Sequence, residues 1–97
     1  LGFILFQRNI KNKAQLKTLV EDLKSTVSHS NVPILIDQEG GRVVRLKSPE
    51  WFEPPSSAVL AEGDLETAKK TVYECYARMA QDLVEVGITV DCAPVLD

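Results

Sequence analysis

Ile34-Leu35-Ile36-Asp37-Gln38-Glu39-Gly40-Gly41-Arg42-Val43-Val44-Arg45 reads as a buried strand that ends on a carboxylate and passes into a glycine pair followed by arginines. Branched apolar residues favour a strand. Asp37 then stands where the chain leaves the core, and Gly40-Gly41 let the backbone turn where a side chain would clash. An α/β protein presents a ligand site in this way, with Asp37, backbone amides and Arg45 able to meet one polar ligand.

Outward from this stretch, two further short apolar runs have the same character, Phe3 to Phe6 and Ile88 to Asp91, with Pro33 to Asp37 between them. Each is brief and rich in Ile, Val, Leu or Phe, as expected of strands covered on both faces. Between the first two, Leu16, Leu19, Val20, Leu23 and Val27 recur at steps of three and four, which predicts one face of a helix. Asn12 is its expected N-cap, and Asn31 with Pro33 its expected end. A second helix is expected from an Asp64 N-cap to a Gly87 stop, burying Leu65, Ala68, Val72, Cys75, Met79, Leu83 and Val86. The segment from Leu46 to Gly63, with its prolines and serines, is expected to be a long loop.

The order β-α-β-α-β calls for right-handed crossovers and a parallel sheet. A doubly wound sheet and a (β/α)8 barrel both contain this unit, and periodicity leaves the two even. In either fold the site lies at the carboxyl ends of the strands. That puts Gln7, Arg8 and Asn9, then Asp37 to Arg45, then Asp91 to Asp97, along one rim.

Composition narrows the partners. The 97 residues are 44% hydrophobic and 26% charged, with a formal net charge of -3 and no basic stripe, so nucleic acid is not an expected partner. No apolar run approaches the roughly 20 residues that span a bilayer. Cys75 and Cys92 fall at apolar positions without metal or redox spacing, and both are expected to be reduced core residues. A soluble, cytoplasmic protein is the expectation. Leu1 stands almost at the start of a strand and Asp97 directly after an apolar run, so the chain reads as an excerpt, truncated at both ends, of one larger domain.

Several residues admit two readings. Asp37 can accept hydrogen bonds from the vicinal hydroxyls of a sugar, or it can cap loop amides and pair with an arginine. Arg45 can clamp hydroxyls or a carboxylate with its planar fork, or serve as that structural partner. An acid/base pair of Asp37 and Glu39, at the about 5 to 9 Å that glycosidases use, is set aside because Glu39 beside Gly40 is placed to brace the turn. Trp51 and Phe52 are expected to pack their loop, although a sugar platform is the other possibility. His29 is expected at the surface, on the rim away from the site, and Asp91 and Asp97 are expected to tie loops together. No dinucleotide or P-loop fingerprint occurs.

The stretch Val32 to Leu46 resembles the signature of glycoside hydrolase family 3, and within it the bacterial β-N-acetylhexosaminidase branch. Gly2-Phe3-Ile4-Leu5-Phe6-Gln7-Arg8-Asn9 is similar to that branch's upstream motif, and Gly87-Ile88 through Ala93-Pro94-Val95-Leu96-Asp97 to its downstream one. The resemblance implies a partial (β/α)8 barrel, with Asp37 and Arg45 as the substrate-binding residues; Arg42 also matches the motif but is expected to brace the loop. It implies hydrolysis of terminal β-N-acetylglucosamine from peptidoglycan fragments, by a retaining route through a covalent glycosyl-enzyme. The nucleophilic aspartate and the acid/base histidine match nothing in this chain and are expected downstream of Asp97; His29 fits no family motif. A monomer without metal or cofactor is implied, with a muropeptide or other N-acetylglucosaminide as substrate. A β-glucosidase of the same family and a carbohydrate-binding relative without a nucleophile are the alternatives.

The pure 97-residue chain is therefore expected to show no glycosidase activity and to aggregate or pack poorly. Turnover of a chromogenic N-acetylglucosaminide by that chain, or a sharp thermal transition in a soluble monomer, contradicts these expectations.

Overall fold

The computed structural model describes residues 1–29 and 31–94. Three strands, β1 (Phe3–Leu5), β2 (Ile34–Ile36) and β3 (Val90–Asp91), form one parallel sheet in the order β1-β2-β3. Each is shorter than the apolar run that contains it, so Phe6, Pro33, Asp37 and Ile88 flank the ladder. The side chain of Thr89 lengthens the pairing: its Oγ1 accepts the Ile34 N–H at 3.0 Å while its own N–H donates to the Ile34 carbonyl.

Helix α1 (Lys13–Ser25) starts where Asn12 Oδ1 accepts the Gln15 N–H at 2.8 Å, an N-cap that satisfies one orphan donor. It stops well before Asn31. Ser25 Oγ donates to the Asp22 carbonyl at 2.6 Å and Thr26 Oγ1 to the Leu23 carbonyl at 2.7 Å, so hydroxyls take acceptors of the last turn. Val27 consequently packs on the core from outside the helix.

The connection after β2 is not the irregular loop expected. It contains a one-turn helix, α2 (Ser57–Leu60), capped by Ser56 and anchored by the buried Leu60. Trp51 is likewise buried with Leu46 in the main core, in keeping with a packing role. Helix α3 (Leu65–Val86) begins on Asp64, whose Oδ1 accepts the Thr67 N–H at 2.9 Å, and ends at Gly87 in the left-handed region, φ 89°. There the Ile88 N–H returns to the Leu83 carbonyl at 3.0 Å.

The buried face expected on α3 holds only in its second half. Cys75, Met79, Leu83 and Val86 are buried, whereas Leu65 is 68% exposed and Val72 37%. Length explains the difference. A helix of 22 residues is about 33 Å long, while a three-residue strand covers about 10 Å, so the first turns of α3 run past the sheet.

Both long helices lie on one face of that sheet. Leu16 and Val20 of α1 and Leu83 and Val86 of α3 form one core with Leu5, Ile34 and Ile36, and Lys13 Nζ meets Glu85 at 3.5 Å across the helix pair. The opposite face carries Ile4, Leu35 and Val90 in register, and among the described residues it is open, with Ile4 45% and Val90 39% exposed. Among the described residues, helices cover the strands on one face. Consecutive strand order with both crossovers on one side is how a barrel wall is wound, since a doubly wound sheet carries helices on both faces. No helix among the described residues is long and apolar enough to cross a membrane.

Gly40, φ 112°, is the tightest point of the loop after β2, because a Cβ there would run into the Pro55 carbonyl oxygen. Backbone cannot yield as a side-chain tip can. Gly40→Ala in the intact protein is expected to cost about 1 to 3 kcal/mol of stability, read from denaturant unfolding; an unchanged midpoint contradicts this packing.

Candidate functional site

Parallel pairing brings the three strand exits together at one rim. The Cys92 N–H donates to the Ile36 carbonyl at 2.9 Å, which continues the register one step beyond Ile36 and Asp91 and sets Cys92 beside Asp37. Two-residue alternation puts Phe6, Asp37 and Cys92 on the open face with Ile4, Leu35 and Val90. Asp37 thus points to the side that the helices leave free. Its carboxylate Oδ2 meets Arg45 Nη2 at 3.5 Å, and both side chains are 24% exposed.

The loop between them is built on Gly40 and Gly41, both at positive φ. The Glu39 and Gly40 N–H groups donate to the Val43 carbonyl at 3.0 and 3.1 Å, which folds the turn back on itself, and the Gly41 N–H donates to the Pro54 carbonyl at 2.9 Å. Arg42 sits exposed at the tip, so bracing does not fall to it as expected. Nor does it fall to the Glu39 side chain, whose backbone alone is hooked.

Gln38 supplies the brace. It is 2% exposed, its Oε1 accepts the Arg45 N–H at 2.8 Å and the Leu46 N–H at 3.0 Å, and its Nε2 donates to the Leu46 carbonyl at 3.0 Å. Sequence reasoning passed over this residue. The available signal was its parity: Gln38 is two residues beyond Ile36, so it continues the buried side of the strand, where an amide must find partners.

Asp91 ties the end of β3 to the loop after β2, in keeping with the loop-tying role expected of it. Its Oδ1 accepts the Gln38 N–H at 2.9 Å. Burial raises its carboxyl above the ordinary value; the Gln38 bond opposes that, and the charges of Asp37 and Glu39 add to it. Cys92 is exposed, in contrast to the core position expected, because the alternation turns it onto the open face. Partial desolvation and then the neighbouring Asp37 push its thiol up, which disfavours the thiolate. Cys75 is buried and free.

Asn9 and Arg8 serve the turn after β1. Asn9 Oδ1 accepts the Phe6 N–H at 2.9 Å, and the Arg8 guanidinium lies 4.9 Å from the Phe6 ring centre. Phe52 is covered by Arg78 at 4.5 Å, and His29 is exposed at the far rim. Asp97, with Val95 and Leu96 of its motif, lies outside the described residues. A cleft of about 220 Å³ opens beside Arg45, between the turn Gln7–Asn9 and the segment carrying Lys47 and Trp51, and Asp37 does not line it. The buried Arg45 Nε and Trp51 Nε1 have no acceptor among the described residues.

The profile of the glycosyl hydrolase family 3 N-terminal domain matches residues 1–97. A beta-hexosaminidase of Shewanella frigidimarina is 41% identical over 98 residues, and one of Psychromonas ingrahamii 34% identical over 96; each alignment covers 99% of this chain and 28% of the relative. Native NagZ from Neisseria gonorrhoeae superposes with a TM-score of 0.90 at 33% identity, over 99% of this chain and 28% of that one. A family 3 β-N-acetylglucosaminidase from Paenibacillus sp. gives 0.82 at 33% identity, over 100% of this chain and 18% of that one. The three parallel strands match the N-terminal part of the NagZ barrel. The chain spans 28% of the length of the hexosaminidases it matches.

The raised Asp91 pKa has a defined sign. The folded state holds that proton more tightly than the unfolded one, so this group's contribution to stability declines as pH rises from the ordinary carboxylate value through the raised one. Asp91→Asn keeps an acceptor for Gln38 and removes the charge. In the intact protein it is expected to raise Tm above that window and to lose its advantage below it, measured over about pH 3 to 8; a gain independent of pH contradicts the assignment.

Proposed function

Because this chain belongs to glycosyl hydrolase family 3, we propose that it forms part of a single (β/α)8 barrel domain of a β-N-acetylhexosaminidase, in which Asp37 and Arg45 hold the terminal sugar. The observation that carries this reading is the placement of the Asp37–Arg45 pair: at the carboxyl end of the central strand, on the face that the helices leave open, and a quarter exposed. A contact of 3.5 Å is long for a charge-assisted bond, whose usual range is about 2.7 to 2.9 Å. The carboxylate therefore retains acceptor capacity for two sugar hydroxyls, while the guanidinium offers donors beside it. Charge neutralisation between the two lowers the cost of covering them with a ligand.

The relatives' names support a β-linked hexosamine substrate, and N-acetylglucosamine is favoured by the name of the Paenibacillus structure and by a similar NagZ structure that holds N-trifluoroacetyl-D-glucosamine. Peptidoglycan fragments are the proposed natural source. Cleavage is assigned to groups outside this chain: an aspartate that attacks the anomeric carbon and a histidine that protonates the leaving oxygen, with water resolving the glycosyl-enzyme. Among the present residues, Asp37 and Arg45 hold the terminal sugar in the site. The two unpaired cysteines suit a reducing, cytoplasmic setting.

In the full-length enzyme, Asp37→Ala is expected to lower kcat/KM by about 2 to 4 kcal/mol, since the sugar hydroxyls lose a charged acceptor in a covered site. This is roughly 30- to 1000-fold in rate. Kinetics equal to the parent enzyme with a chromogenic N-acetylglucosaminide reject the assignment.

A further inference from the structure

We propose that Gln38 is a positioning residue that sets Arg45 for sugar binding, an inference that rests on the role proposed for Arg45 above. Burial alternates through Ile34, Leu35, Ile36, Asp37 and Gln38, so the strand's period continues past its last ladder residue and sends the two polar side chains to opposite sides. Asp37 goes to the open face. Gln38 goes to the helix side, into a position where an apolar residue is the default.

An amide is tolerated there because its groups are used. One oxygen takes the N–H groups of Arg45 and Leu46, and the nitrogen returns a bond to the Leu46 carbonyl, as a neighbouring strand would. The peptide N–H of Gln38 is itself held by Asp91 Oδ1 at 2.9 Å. A continuous path thus runs from β3 through Gln38 to the Arg45 backbone and out along its side chain to Asp37. Leu46, fully buried, anchors the same point in the core.

The chemistry requires an amide. Leucine can fill the space but leaves three backbone groups unpaired. Ionised glutamate can accept both N–H groups but turns a second oxygen towards the Leu46 carbonyl. Protonated glutamate restores the donor, so Gln38→Glu is a variant whose fit depends on pH.

In the full-length enzyme, Gln38→Ala is expected to raise KM for a chromogenic N-acetylglucosaminide at least about tenfold with little change in kcat, because uniform binding is lost. Arg45→Ala is expected to raise KM similarly, and the double variant to be no worse than Arg45→Ala alone, since both act through one guanidinium. Gln38→Glu is expected to show a raised KM at neutral pH that falls back on acidification. Hydrogen exchange at the Arg45 and Leu46 amides is expected to accelerate in Gln38→Ala, a readout that needs no substrate. Unchanged KM, effects that multiply fully in the double variant, or unaltered amide exchange overturns the proposal. If Gln38→Ala does not fold, Gln38→Glu decides, and a KM equal to the parent's at every pH overturns it. Absence of turnover by the parent enzyme rejects the sugar reading instead, while amide exchange still decides what Gln38 holds.

Discussion

Strand β2 has a partner on each edge, and helices α1 and α3 are arranged by the need to bury one side of it. Ile34 and Ile36 are fully covered, and hydrophobic burial of that kind is the main favourable contribution in so small a unit. Their side of the sheet takes both helices, and α1 and α3 pack together over the same core. Parallel pairing then has a directional consequence. All three strands exit at the same end, so whatever polar residues follow them are gathered there without any dedicated scaffold.

Much of this was legible in the chain. Asn12 and Asp64 cap the helices as their side chains suggest, Gly87 closes the second, and Asp37 follows the middle strand. These are local effects, decided within a few residues. What was not legible depended on partners distant in sequence. Strands of two or three residues are too short for alternation to show which face is covered, so the exposure of Ile4, Val90 and Cys92 among the described residues was not foreseen. The same holds for Leu65 and Val72, whose spacing is helical but whose place lies past the end of the sheet.

The site shows the same division. The two residues proposed to hold the sugar, Asp37 and Arg45, drew notice in the sequence through a strand end and a family motif, because charged residues at strand termini stand out against apolar runs. The site's support did not. Gln38 looks like a polar loop residue until the backbone of Arg45 and Leu46 is seen to close on it, and Arg42, more conspicuous in sequence, turns out to face solvent. Trp51 falls between these cases: its neighbouring prolines suggested packing, and the fold puts it in the core.

The close seat of Gly40 against Pro55, with Gly41 hooked to Pro54, joins two stretches that are separate in the primary chain. They behave as a lock and its strike plate. A graft that imports the glycine turn from another family member without its proline counterpart brings in a shape cut for a different surface. Recombination among family members therefore has its natural crossover points outside 37–57, and any exchange inside that span is best made as one cassette.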